Sequence, residues 1–259
     1  MNTLIPVSRP GYFLSICAVL AVVLLFGAVP ARADITTGLV GWWRLDETSG
    51  TTAHDASGKG NNGILYNIAT PATATSGWNS GHLNGALAFD GIDDWVNIPD
   101  NESLRCNGNF TIAFWYKMIS EKVQYPGVIS KDGGWDVNTG YYIFSAGTQL
   151  FYKRDAFQFL ICPPSSDWVH VAVAYDGAVL KAYVDGSLAY NYSVSYVTGT
   201  DAESLKFASA GWVGSFGNIH LDDVRIYNRA LTQTDVTQLY NNGGPTKGRN
   251  GVLRNALIR

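Results

Sequence analysis

From Trp168 to Tyr175 the chain alternates: Val169, Val171, Val173 and Tyr175 fall on one side of an extended strand, with Trp168, His170, Ala172 and Ala174 on the other. Asp176-Gly177 follows, then the run Val179-Leu180-Lys181-Ala182-Tyr183-Val184, then Asp185-Gly186. Alternating runs that bracket an Asp-Gly predict a hairpin, because a tight turn needs residues that tolerate positive φ. Further strands are predicted over 39–45, 86–89, 95–98, 110–118, 127–131, 141–146, 150–153, 157–161 and 219–227. Gly, Asn and Asp separate them at short, even intervals, which indicates an all-β, two-sheet antiparallel jelly-roll sandwich. One short C-terminal helix interrupts the pattern. Thr232 can cap it, Asp235 stands three residues on as in a capping box, and Val236, Leu239 and Tyr240 share a face before Asn242-Gly243-Gly244-Pro245 ends it.

Composition agrees with short strands and tight turns: 28 glycines, 13% aromatic and only 15% charged residues. The first 33 residues stand apart, with Arg9, an apolar run over 12–29, Pro30, and Ala31-Arg32-Ala33. This is the layout of a secretion signal cleaved after Ala33; an uncleaved anchor is the competing reading, and Gly27, Pro30 and Ala-x-Ala favour cleavage. Ile16 before Cys17 argues against a lipoprotein site. The expected organisation is a signal peptide over 1–33, one domain over 34–245 and a basic tail over 246–259, exported, with no membrane span once the signal is removed. The full chain carries a net charge of −3, and the leader holds two Arg and no acid, so the remainder is mildly acidic. That excludes nucleic acid as an expected partner, since phosphate contacts need clustered Lys and Arg. Two cysteines remain, Cys106 and Cys162. They either pair, stabilising by roughly 4 kcal/mol in the chain-entropy model, or sit as separate buried thiols.

Five segments together carry a family resemblance: Gly41-Trp42-Trp43-Arg44-Leu45-Asp46-Glu47; Asp55-Ala56-Ser57-Gly58-Lys59-Gly60-Asn61-Asn62-Gly63; Ala88-Phe89-Asp90-Gly91-Ile92-Asp93-Asp94-Trp95-Val96; the 168–177 strand with Tyr183-Val184-Asp185-Gly186; and Leu221-Asp222-Asp223-Val224-Arg225-Ile226-Tyr227-Asn228-Arg229-Ala230-Leu231. In order and spacing they resemble the laminin-G-like, pentraxin-related branch of the concanavalin A-like lectin/glucanase fold, over nearly all of the chain after the leader. The resemblance implies a jelly roll with one structural Ca²⁺. Calcium takes six to eight oxygens at about 2.3–2.6 Å. The Gly-rich loop offers Asp55, Asn61 and Asn62, and Asp222 matches the family's acidic position. Turn-forming Asp, Asn and Gly with ordinary backbone hydrogen bonds are the alternative.

Relatives that cleave glucans use a Glu-x-Asp-x-x-Glu cluster, whose alternation aims carboxylates into one cleft. No such pattern occurs here. Asp222-Asp223, Asp93-Asp94 and Asp46-Glu47 are adjacent pairs, so in an extended strand each points to opposite faces. His54, His82, His170 and His220 show no metal-ligand spacing, and no Gly-x-Ser-x-Gly elbow appears. A sugar site needs an aromatic face and a few polar groups. The 131–138 loop supplies Asp132, Trp135, Asp136 and Asn138; Tyr125, Trp78 and Trp212 are further candidates, each of which could instead fold back over the sandwich edge. The leading reading is a secreted, non-catalytic carbohydrate-binding module stabilised by calcium, its partner a polysaccharide or glycan. An extracellular protein–protein adhesion module is the alternative, and a polysaccharide hydrolase or lyase with an unrecognised site the third.

Overall fold

A computed structural model describes residues 34–133, 140–147, 149–154, 157–194, 202–210 and 214–243. The leader, the basic tail, Trp135, Asp136, Asn138 and Trp212 lie outside these residues. The strands in chain order are β1 (Leu39–Trp43), β2 (Thr52–Ala53), β3 (Gly63–Tyr66), β4 (Gly77–Ser80), β5 (Gly85–Ala88), β6 (Trp95–Ile98), β7 (Phe110–Ser120) and β8 (Gly127–Lys131). They continue with β9 (Tyr141–Ala146), β10 (Gln149–Arg154), β11 (Phe157–Cys162), β12 (Val169–Tyr175), β13 (Val179–Val184), β14 (Ser187–Ser193), β15 (Leu205–Phe207) and β16 (Asn218–Tyr227). A helix, α1, spans Gln233–Gly243.

Two antiparallel sheets result. One runs β14-β13-β12-β7-β16-β5-β4, with β1 also paired to β16; the other runs β11-β10-β9-β8-β15-β6-β3-β2. Their inner faces form one core. Along β7 Phe110, Ile112, Phe114 and Tyr116 point into it, and Val169, Val171 and Val173 do so from β12. Trp43 bridges the layers, meeting Phe207 edge-on at 5.2 Å. The Asp185-Gly186 turn has both residues at positive φ, 48° and 75°, the conformation that lets a two-residue hairpin match strand twist.

The opposite face of β12 explains its small residues. Ala172 and Ala174, with Ala113 of β7, lie beneath α1, where Val236 and Leu239 are buried against them. Alanine leaves room for the helix to approach the sheet. The cap is reciprocal: the Thr232 amide donates to Asp235 Oδ2 (2.9 Å) and the Asp235 amide to Thr232 Oγ1 (3.2 Å). Leu239→Ala, at 2% exposure, is expected to cost about 2–5 kcal/mol, read by urea unfolding. A near-neutral result would mean the helix packs loosely.

Candidate functional site

The feature that stands out is a cleft of about 740 Å³ lined by Trp42, Arg44, Asp46, Leu83, Asn84, Asp222, Asp223 and Arg225 among others. Three pieces of chain build it. Trp43 and Leu45 point into the core with no exposure, which turns Trp42, Arg44 and Asp46 outward on the same side. The β4–β5 hairpin contributes a turn closed by the Gly81 amide donating to Asn84 O (2.9 Å). The third piece is β16, whose pairing with β7 slips between Asp222 and Arg225, with Asp223 at φ 50°. A bulge re-aims side chains. It overturns the expectation that Asp222 and Asp223 face opposite ways, for both line the cleft.

The groups are held firmly. Trp42 Nε1 donates to Asp223 Oδ1 (2.6 Å), and Arg225 binds the same carboxylate through Nε (3.1 Å) and Nη2 (3.0 Å). The Arg225 and Arg44 guanidinium carbons lie 4.4 and 5.0 Å from the Trp42 ring centre, within cation–π range. Asp46 Oδ1 accepts the Gly85 amide (2.9 Å), and its Oδ2 lies 3.6 Å from Arg44 Nε. Asp222 is fully buried; its Oδ2 accepts the Leu83 amide (2.6 Å), while Oδ1 takes no hydrogen bond. Burial pushes its carboxyl up to about 8 against the opposing pull of the Leu83 and His82 amides, and the charges of Asp223 and Asp46 push the same way as burial. Burial likewise raises Asp223, against the opposing pull of Arg225.

Asp222 does not join the loop with which it was expected to share calcium. Asp55 Oδ1 accepts the Trp42 (2.9 Å) and Ser57 (2.8 Å) amides and Oδ2 the Asn61 amide (2.8 Å). The Asp55 amide donates to Asn62 Oδ1 (2.9 Å), and Asn61 Nδ2 donates to Val40 O (2.8 Å). These bonds hold the carboxyl below its ordinary value despite burial. Asp55 and Asp222 share no hydrogen-bond partner, and the cleft that Asp222 lines does not include the loop. With three amides already on Asp55, Asn62 Oδ1 taken by the Asp55 amide and Asp222 in a separate cleft, the four residues do not fit one ion requiring six to eight oxygens. Asp55→Ala is therefore expected to lower the melting temperature equally in calcium buffer and in chelator. A loss confined to calcium buffer would restore the metal reading.

The other expected site residues are dispersed. Trp78 folds back, its Nε1 donating to Gly50 O (2.9 Å) while its ring packs on the core. Tyr125 and Asp132 meet at Tyr142 on the outer face of the second sheet. The Tyr142 hydroxyl donates to Tyr125 O (2.7 Å), and burial raises its pKa, with the charge of Asp132 adding to the shift. Tyr142, Phe144 and Phe151 continue as a stacked ladder with centroids 4.7 and 5.6 Å apart. Cys106 and Cys162 are not paired. Each thiol has its own buried surroundings, Cys106 near Arg154 and Tyr141 and Cys162 near Tyr116, and burial pushes both up to about 12. Asp90, Asp93 and Asp94 cluster, yet Asp94 Oδ2 accepts the Asp90 amide and Asp90 Oδ1 the Ile92 amide, as in an ordinary turn.

The cleft was legible in part. Trp42, Arg44 and Asp46 lie two apart, which in a strand means one shared face. Reading Asp46 only beside Glu47, and Trp42 only as strand filling, hid that constellation.

The chain belongs to the concanavalin A-like lectin/glucanases superfamily, whose laminin-G-like family model matches residues 90–237. No curated protein sequence matches it. Among solved structures it is similar to the binding domain of Paraclostridial Mosquitocidal Protein 1, at 18% identity and TM-score 0.63, covering 81% of this chain and 53% of that one. It thus spans about half of that chain's length. Domain 4 of AbnA, an extracellular arabinanase from Geobacillus stearothermophilus, in complex with arabinotriose, aligns at 17% identity and TM-score 0.58, covering 78% and 98%. The binding domain of botulinum neurotoxin DC in complex with SialylT aligns at 16% identity and TM-score 0.57, covering 81% and 52%. At these identities the likeness is one of fold.

Proposed function

We propose that this protein is an exported carbohydrate-binding domain, and that the cleft between β1, β16 and the 81–84 turn holds a glycan without cleaving it. The observation that carries the reading is the preformed wall of that cleft: an indole pinned by a carboxylate and two guanidinium groups, with amide and carboxyl groups around it. A ring of hydroxyls binds best where an apolar surface and fixed polar groups already stand in place, because little ordering is then required. The AbnA and neurotoxin domains, which share the fold, are in complex with arabinotriose and SialylT, which supports the class of ligand. The leader pattern of residues 1–33 supports export.

The engagement of Asp223 and Asp46 supports holding without cleavage. Asp223 has both oxygens in bonds to Trp42 and Arg225, and Asp46 is tied to Gly85 and faces Arg44, so neither stands free as a nucleophile. Calorimetry against an oligosaccharide panel tests the proposal. Trp42→Ala is expected to weaken binding at least about tenfold, roughly 1.4 kcal/mol, with no new reducing ends released by the unaltered protein. Full affinity in the variant would remove the cleft from the reading, and released reducing ends would make the protein an enzyme.

A further inference from the structure

We infer that the glycan taken by this cleft carries a cationic amine, as an amino sugar does, and that its ammonium group is met by Asp222 at the cleft floor; the inference rests on the glycan reading above. Three carboxylates line the cleft, and two already face a cation. Asp223 is bound by Arg225 at 3.0 Å and Asp46 lies 3.6 Å from Arg44. Asp222 is fully buried and, among the described residues, forms no ion pair and leaves Oδ1 without a hydrogen bond. Among the described residues no lysine lines the cleft. A buried carboxylate without a counter-charge is costly, so the charge this site lacks is positive. Its tendency to hold a proton, strengthened by burial and by its two acidic neighbours, is the same deficit seen from the proton side.

An ammonium group suits that deficit better than the alternatives. It brings one positive charge and three donors, enough for the unmet Oδ1. A uronic acid would add a fourth carboxylate beside three. An N-acetylated sugar offers a donor but no charge. A hard divalent ion needs several oxygens converging on one point. Among the described residues only Asp90, Asp93 and Asp94 bring three His, Cys or carboxylate ligand atoms within 4.8 Å of one another, and they lie outside the cleft.

Calorimetry of the full chain with a glucosamine tetramer, its N-acetylated counterpart and a glucose tetramer is the test. The amino form is expected to bind at least about tenfold more tightly than either neutral form, and Asp222→Asn to bring the three within about twofold. The comparison on the unaltered protein stands even if the variant fails to fold, and a melting curve of the variant shows which case holds. If the neutral tetramers bind as well as the amino form, the inference falls while the glycan reading survives. If none of the three nor any sugar of the wider panel binds, both fall. If calcium alone raises the melting temperature of the protein but not of Asp222→Asn, the missing cation is a metal and the amine is overturned.

Discussion

Relative to a His170→Phe variant, the protein is expected to lose about 1.4 kcal/mol of stability for each pH unit below 6.5, down to about pH 3. His170 is 2% exposed, its Nδ1 takes no hydrogen bond, and its ring sits edge-on to Trp115 at 5.2 Å with Tyr240 at 6.1 Å. Burial pulls its imidazole from 6.5 down to about 3, and the positive charges of Arg225 and His82 pull the same way. Asp185 lies near, but its carboxylate is occupied with the His170 backbone amide (3.0 Å). Between the two values the unfolded chain binds a proton that the folded one refuses. Stability is thus fully present above pH 6.5 and drains as pH falls toward 3. His220, also pulled down by burial, adds to the loss. Asp222 works against it: a carboxyl raised in the folded state gains stability as pH falls through the same window. The unaltered protein can therefore look flat with pH, which is why the variant is required. Urea unfolding of both from pH 7 to 4 reads the difference. Parallel curves would mean that the folded protein protonates His170 without strain.

That histidine illustrates what sequence reading reaches and where it stops. Its place on the outward side of β12 follows from period-2 alternation alone. That Trp115, His82 and Tyr240 would gather around it depends on the pairing with β7, on the 81–84 turn and on where α1 lands, none of which spacing within β12 states. The same division runs through the fold. Strands that alternate between core and outer face were legible, and so was the Thr232 cap. The short strands β2, β3, β4 and β15 and the open edge strand β14 were not. Six of the seven β14 residues are exposed, so no buried face imposes a pattern. At the site, Asp222 and Asp223 misled for a definite reason. The rule that neighbours point apart assumes regular pleating, and the slip between Asp222 and Arg225 breaks it. The four residues expected to share a calcium ion differ in another way. The loop residues are of the right kind, but the Asp55 and Asn62 oxygens are occupied by backbone amides of the loop and of β1, a matter of bond counting that needs coordinates.

Gly81→Ala is expected to be among the most damaging single-methyl additions, and to damage binding along with stability. A Cβ at Gly81 would strike the Gly85 carbonyl and stand 2.6 Å from Asp222 Oδ2. The first obstacle is backbone on the facing side of a four-residue turn, so no side-chain rotation relieves it. Overpacking of this kind costs about 1–3 kcal/mol, occasionally more, and the backbone obstacle places it toward the upper end. Relief can come only by opening the turn, which draws the Leu83 amide away from Asp222 and shifts Asn84 at the cleft wall. Gly108→Ala is the matched control, since nothing lies within 4 Å of a Cβ there and its φ is ordinary. That change is expected to stay within about 0.5 kcal/mol. Melting temperature and glycan affinity, measured on both variants, separate two accounts of the turn. If Gly81→Ala loses stability and keeps affinity, the turn is scaffold alone, and Asp222 and Asn84 must be struck from the binding surface. A loss of affinity exceeding the folded fraction lost ties the carboxylate's position to the ligand.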